Sequence, residues 1–166
     1  MDYRVIIAGS RSFSNYELLR EHCLSLLQEK MKTHHVIIVS GHAHGADAMG
    51  ERFAKEQGLA LELHPAKWKI LGKAAGIIRN AEMARVSDAL IAFWDGNSRG
   101  TAHMINFAKR RALDISVVNY LQNYPRSQKM PPSGYITPSE NKHETEKLHI
   151  INRHRTSLCR LLNTTL

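Results

Sequence analysis

Short apolar runs alternate with stretches of helical periodicity through the first two thirds of the chain. Tyr3 to Ala8 is a β-branched run that ends in Gly9-Ser10 and reads as a buried strand feeding a turn. The next helix starts near Ser14 or Asn15. Its Leu18, Leu19, Cys23, Leu26 and Leu27 recur at helical spacing, and Glu17, Arg20, Glu21, Glu29 and Lys30 form a polar face. His35 to Ser40 is a second buried run, stopped by Gly41. A helical pattern then opens at Gly45-Ala46-Asp47 and runs to about Gln57, with Gly58 as its C-cap. Ala60 to Leu63 is a weaker strand leading into a long polar loop, His64 to Gly76, which carries Trp68 and the lysines Lys67, Lys69 and Lys73. A helix from about Ile77 to Val86 precedes the strand Ala89 to Phe93. The loop Trp94 to Thr101 follows, then a helix to about Arg111 and a last strand, Ile115 to Val118. Strict β and α alternation with short connections predicts an α/β fold, a Rossmann-like, doubly wound, mainly parallel sheet of about five strands over residues 1–119.

Past Asn119 the pattern breaks. Pro125, Pro131, Pro132 and Pro138, with Ser127, Ser133, Gly134 and Ser139, sustain neither a helix nor a central strand, so residues 120–140 read as a Pro/Ser-rich linker or arm. Residues 141–166 are helix-compatible again. Leu148, Ile151, Leu158 and Leu162 make an amphipathic seam, interrupted by Arg155, that serves oligomerisation or docks on its own domain. No apolar run approaches the roughly 20 residues that cross a bilayer, which predicts no membrane partner. The N-terminus lacks the order of a signal peptide, which points to the cytoplasm. Cys23 and Cys159 stand without CxxC spacing, so they read as reduced thiols. A net charge of +8 favours anionic partners, phosphates or nucleic acid, against the plain alternative of a solvated basic surface.

In an open parallel sheet, ligands collect beyond the carboxyl ends of the strands, where loop amides and helix N-termini converge. Four loops fall there. Gly9, Ser10, Arg11, Ser12 and Phe13 join a glycine, hydroxyls and a guanidinium in a way that suits a phosphate, although Ser12 or Ser14 also reads as a helix cap. In the second loop, Gly41 and Gly45 let a ligand approach the backbone. Asp47 there is either an N-cap or a ribose acceptor, with Glu51 one turn on. His42 and His44 have no third ligand in sight, so no metal is expected. Lys67, Trp68 and Lys73 line the third loop, and Arg79 and Asn80 follow near a helix start. Trp68 suits a stacked base or, equally, a core or interface position. The fourth loop, with Trp94, Asp95, Gly96, Ser98, Arg99, Gly100 and Thr101, brings a helix N-terminus to an anion and is the best phosphate cradle. Neither a P-loop nor a first-turn GxGxxG is present.

Together, the run from Arg4 to Phe13, Val39-Ser-Gly-x-Ala-x-Gly-Ala-Asp47, Ile78-Arg-Asn80 with Met83, and the run from Ser87 to Thr101 resemble the YspA-like branch of the SLOG superfamily, named for its Smf/DprA and Lonely Guy members. The resemblance implies a nucleotide-related role: binding nucleotides or NAD- and ADP-ribose-related molecules, releasing a base from a nucleotide, or binding single-stranded DNA. It departs from the family in two places. Where the YspA-like pattern reads Gly-Gly-Ala-Arg-Gly-Ala-Asp, this chain has His42 and His44, which replaces a fixed cation with imidazole. Lonely Guy phosphoribohydrolases, similar at Arg79 and Gly100-Thr101, place a glutamate shortly after that Gly-Thr, whereas Ala102, His103 and Met104 follow here. Asp47, Glu51 and His103 are left as catalytic candidates.

The leading expectation is a protein that senses or sequesters an ADP-ribose-like, NAD-derived or cyclic nucleotide signal, with no cofactor required, in bacterial antiviral signalling or its viral counter-defence. A nucleotide N-glycosidic hydrolase ranks second and a single-strand nucleic-acid binder third. The resemblance also implies a homo-oligomer, dimer or tetramer.

Overall fold

Strand β1, Asp2–Gly9, is the central strand of a five-stranded sheet in the order β3-β2-β1-β4-β5. β2 spans His35–Ser40, β3 Ala60–Leu63, β4 Ala89–Trp94 and β5 Asp114–Asn119, and every neighbouring pair is parallel. The computed structural model describes residues 1–123. The expected C-terminal helix, most of the linker and Cys159 lie outside them.

Alternation along the strands sorts the core into two layers. Val5, Ile7, Val36, Ile38, Ala89, Ile91 and Phe93 face one side, where they meet α1 (Tyr16–Thr33) and α2 (Ala46–Glu56). Ile6, Ala8, Val39, Leu90 and Ala92 face the other, against α4 (Ala75–Val86) and α5 (Arg99–Arg110). Strands covered on both faces need apolar residues at every position, which is why the runs are continuous rather than alternating. β3 is an edge strand with Leu61 and Leu63 exposed, so its weak signal reflects one-sided burial.

Three local expectations change. The stretch His64 to Gly76 is not loop throughout, because a four-residue helix α3 (Trp68–Leu71) and a 3₁₀ turn (Gly72–Ala74) lead directly into α4. An element of one turn is too short to show a hydrophobic period. At the start of α1 the cap is Asn15, whose Oδ1 accepts from the Leu18 amide at 3.0 Å, and not Ser12 or Ser14. The helical turn α6 (Tyr120–Asn123) occupies the first positions read as linker, and Tyr120 packs against Phe13 at 4.9 Å between ring centroids.

Candidate functional site

Helices change faces between β1 and β4, so the loops after these two strands diverge and leave a crevice at their carboxyl ends. A cleft of about 590 Å³ lies there, bordered by Gly9 at the end of β1 with Arg11 and Ser12 after it, by Asp95 and Ser98 to Thr101 after β4, and by the α4 face carrying Arg79. It also takes in Asp47, Asn80 and His103.

Arg79 organises the floor. One guanidinium nitrogen donates to the Gly41 carbonyl and sits 3.7 Å from the Asp47 carboxylate, and Nε donates to Asn80 Oδ1 at 2.9 Å. Gly41 is needed for this contact, since a Cβ there would overlap the Arg79 guanidinium and reach 2.8 Å from Asp47 Oδ2. Arg79 lies in the second turn of α4 rather than near a helix start, and this places it across the cleft from β2. Asn80 is buried and donates to the Gly100 carbonyl at 3.1 Å, tying α4 to the first turn of α5.

Asp47 is not the cap of α2. Gly45 holds that position with φ of +81°, and an added Cβ would overlap the Ser10 and Arg11 carbonyl region, so two independent constraints select glycine there. Asp47, one residue into the helix, is therefore free to point into the floor. Burial pushes its pKa up to about 6, against the opposing pull of Arg79 and of the Ala43 and Gly9 amides. The folded state thus holds a proton that the unfolded chain releases near the ordinary value of 3.8. Stability from this group is full below that value and declines as pH rises towards 6, by on the order of 3 kcal/mol. Urea unfolding across this window is expected to show the decline in the wild type and a flattened slope in Asp47→Asn; parallel slopes would refute it.

The β4–α5 loop is held by its own side chains. Asp95 Oδ1 accepts the Asn97 and Ser98 amides at 2.9 and 2.7 Å, and the Asp95 amide donates to Ser10 Oγ at 3.1 Å. Desolvation pushes the Asp95 pKa up, but the Ser98 and Asn97 amides and the Ser10 hydroxyl outweigh it and leave the carboxyl below its ordinary range. Ser98 caps α5, taking the Thr101 hydroxyl at 3.0 Å. Among the described residues no acceptor pairs with the Arg99 and Gly100 amides, so the α5 N-terminus presents both to an anion. Four cationic side chains border the cleft (Arg11, Lys73, Arg79 and Arg99) against two carboxylates, Asp47 and Asp95. The site favours an anionic ligand.

A second hollow of about 550 Å³ adjoins the first and is bounded by Gly41, His42, His44 and Pro65. Trp68 borders both hollows with half of its surface exposed, which removes a core role for it. Other predicted residues stand behind the cleft. Phe13 is buried, its ring stacked on Phe93 at 4.9 Å, and Ser10 is buried beneath the loops. Trp94 is half-buried and ties the loop by donating from Nε1 to the Ser98 carbonyl at 3.1 Å. Gly45, Gly96 and Lys67 border neither hollow. Glu51 is engaged away from Asp47, accepting from Ser40 Oγ at 2.7 Å and meeting His42 Nδ1 at 3.1 Å. Residues not singled out from sequence fill the rest: Ala8, Gly76, Ile77 and Met104 in the first cleft, Pro65 and Ala66 in the second, and Ala43 in both. Met83 and Met104 are buried apolar helix positions facing the sheet, so periodicity assigns them to the core, although both also border the cleft.

Comparison with known proteins accords with this geometry. The solved X-ray structure of TM1055, a structural genomics target, shares the Rossmann-like fold with a TM-score of 0.50 at 18% identity, over 69% of this chain and 72% of that one. The Gene 61 protein of Mycobacterium phage D29 is 35% identical over 124 residues, spanning 70% of this chain and 95% of the relative. The family model described as YspA, cpYpsA-related SLOG matches residues 3–70, which include the β1–α1 loop and the Gly41 to Asp47 loop. The chain belongs to the YspA, cpYpsA-related SLOG family.

Proposed function

We propose that the cleft between the β1 and β4 loops binds a nucleotide-derived, phosphate-bearing ligand, and that the protein senses or sequesters this ligand rather than converting it. The observation that carries the reading is the convergence of Arg11, Arg79, Arg99 and the open α5 amides on one cleft that also has an apolar floor and an exposed indole. Fixed cations and helix amides recognise phosphate, and the methionine floor with Trp68 accepts a base. ADP-ribose-like, NAD-derived and cyclic nucleotide signals all carry these two chemistries. A relative in a phage supports sequestration of such a signal as viral counter-defence, and the same binding in a bacterial host would serve antiviral signalling.

Hydrolysis of an N-glycosidic bond is the second reading, and Asp47 favours it. A buried carboxyl with a pKa of about 6 beside an arginine is poised for proton transfer near neutrality. Against it, Met104 lines the cleft on the first turns of α5, where the Lonely Guy pattern carries a glutamate shortly after its Gly-Thr.

Thermal unfolding with a panel of adenine and guanine nucleotides, NAD, ADP-ribose and cyclic dinucleotides, followed by mass spectrometry of each stabilising compound, separates the readings. A binder returns its ligand intact. Recovery of free base and ribose phosphate, lost in Asp47→Ala, would establish the hydrolase. The absence of any stabilising compound would overturn both and direct attention to single-stranded DNA.

A further inference from the structure

The two hollows meet on a shared ridge. Arg11, Ala43, Trp68 and Arg79 border both, whereas the β4–α5 loop closes only the first and Pro65 and Ala66 only the second. Each hollow has the volume of a small-molecule pocket in its own right, about 590 and 550 Å³. A mononucleotide with its phosphate on the ridge and its single nucleoside in the first hollow, beside the open α5 amides, would leave the second unused.

The ridge itself calls for a bridging anion. Arg11 and Arg79 both border the two hollows, and the one carboxylate there that the structure pairs with either is Asp47, 3.7 Å from Arg79. A phosphate set between two guanidiniums offsets both charges, accepting from the Arg11 fork and from the Arg79 nitrogen that Gly41 and Asn80 leave unengaged. The hollows on either side differ in chemistry. The first offers the open amides of α5 and a methionine floor, and the second offers the exposed imidazoles of His42 and His44 beside Pro65. Trp68 overhangs the boundary and is available to either side.

We infer that the site is two-headed: it takes a ligand with two nucleoside-sized ends joined through phosphate, with the phosphate on the Arg11–Arg79 ridge and one end in each hollow. This rests on the nucleotide-binding reading above and adds to it the ligand class and a second subsite at His42, His44, Pro65 and Ala66.

Filling the second hollow alone tests the inference. Ala66→Trp adds an indole to its lining, and His44→Trp does so from the loop after β2; both positions are at least partly exposed, and thermal midpoints check that each variant is folded. Calorimetric titration would compare AMP and GMP with NAD and with the cyclic dinucleotides of adenine and guanine. In the wild type at least one two-headed probe is expected to bind about tenfold tighter than either monophosphate. In a folded filled variant that advantage disappears while monophosphate affinity stays within about twofold. A monophosphate that binds as tightly as every two-headed probe would overturn the second subsite yet leave nucleotide binding standing, and so would equal losses for both classes on filling. If no probe of either class binds, the underlying nucleotide reading fails and the two-headed site with it.

Discussion

Arg79→Ala is expected to lower affinity for the stabilising ligand about hundredfold, close to 3 kcal/mol. The guanidinium joins three separate parts of the site: the Gly41 carbonyl after β2, the Asp47 carboxylate of α2, and Asn80 of its own helix. Its removal takes a cation from the cleft and leaves Asp47, 5% exposed, without its charge partner. A buried carboxylate deprived of its partner costs several kcal/mol, so the variant should also lose about 3 kcal/mol of folding stability at neutral pH. That loss should shrink below the Asp47 pKa of about 6, where the carboxyl carries a proton and needs no cation. Arg79→Lys should not restore binding, because an ammonium cannot direct separate donors at three acceptor groups along fixed directions. Calorimetry at neutral pH and urea unfolding at two pH values check both parts. Wild-type affinity in Arg79→Ala would remove the guanidinium from the site.

A folding loss of similar size, with no part in ligand contact needed to explain it, is expected at Gly9. A Cβ there would overlap the Phe93 carbonyl of β4 and lie 2.8 Å from the Ala46 Cβ of α2. Neither neighbour can swing aside, since one is backbone of a buried strand and the other the first turn of a packed helix. The same Phe93 carbonyl accepts the Ser10 amide at 2.9 Å, so a displaced β4 would also lose the bond that anchors the first loop. Gly9→Ala should therefore cost about 3 kcal/mol and lower the melting temperature by roughly 10 °C. Gly58→Ala is the control. It has φ of +64° but nothing within 4 Å of the added Cβ, so it should cost only the ~1 kcal/mol of left-handed strain. Calorimetric melting of the two variants side by side is decisive, and similar losses would show that steric overlap at Gly9 is relieved at little cost.

The sheet was legible from the chain because a strand buried on both faces has little choice of residue: Ile6 and Ile7 point to opposite layers and both are fully buried. Loops that collect at the carboxyl ends were legible for the same reason, as soon as the strand ends were known. What each loop residue does was less so. Phe13 stands between Ser12 and Ser14 in a loop of ligand-binding composition, and its inward turn depends on Phe93 and Tyr120, which lie far along the chain. Ser10 likewise has the chemistry of a phosphate ligand but spends its hydroxyl on the Asp95 amide. Asn15 rather than a serine caps α1, and the helix begins only after Phe13 has been buried. Arg79 and Gly41 are 38 residues apart, and no periodicity in either segment encodes their meeting.

The wall that carries Trp68 has an energetic consequence of its own. Neither α3 nor the 3₁₀ turn after it contributes a buried side chain, so little apolar burial resists their separation from the sheet. The floor is different in kind, since Asp47, Asn80 and Thr101 are buried and cross-tied. Ordering such a weakly anchored wall against a bound base draws on the ligand's own interaction free energy, and affinity falls by whatever that ordering costs. In the proposed binding site, recognition would then be divided between a rigid half, which sets where the phosphate lies, and a compliant half, whose fit to different bases is decided by how much order each one imposes.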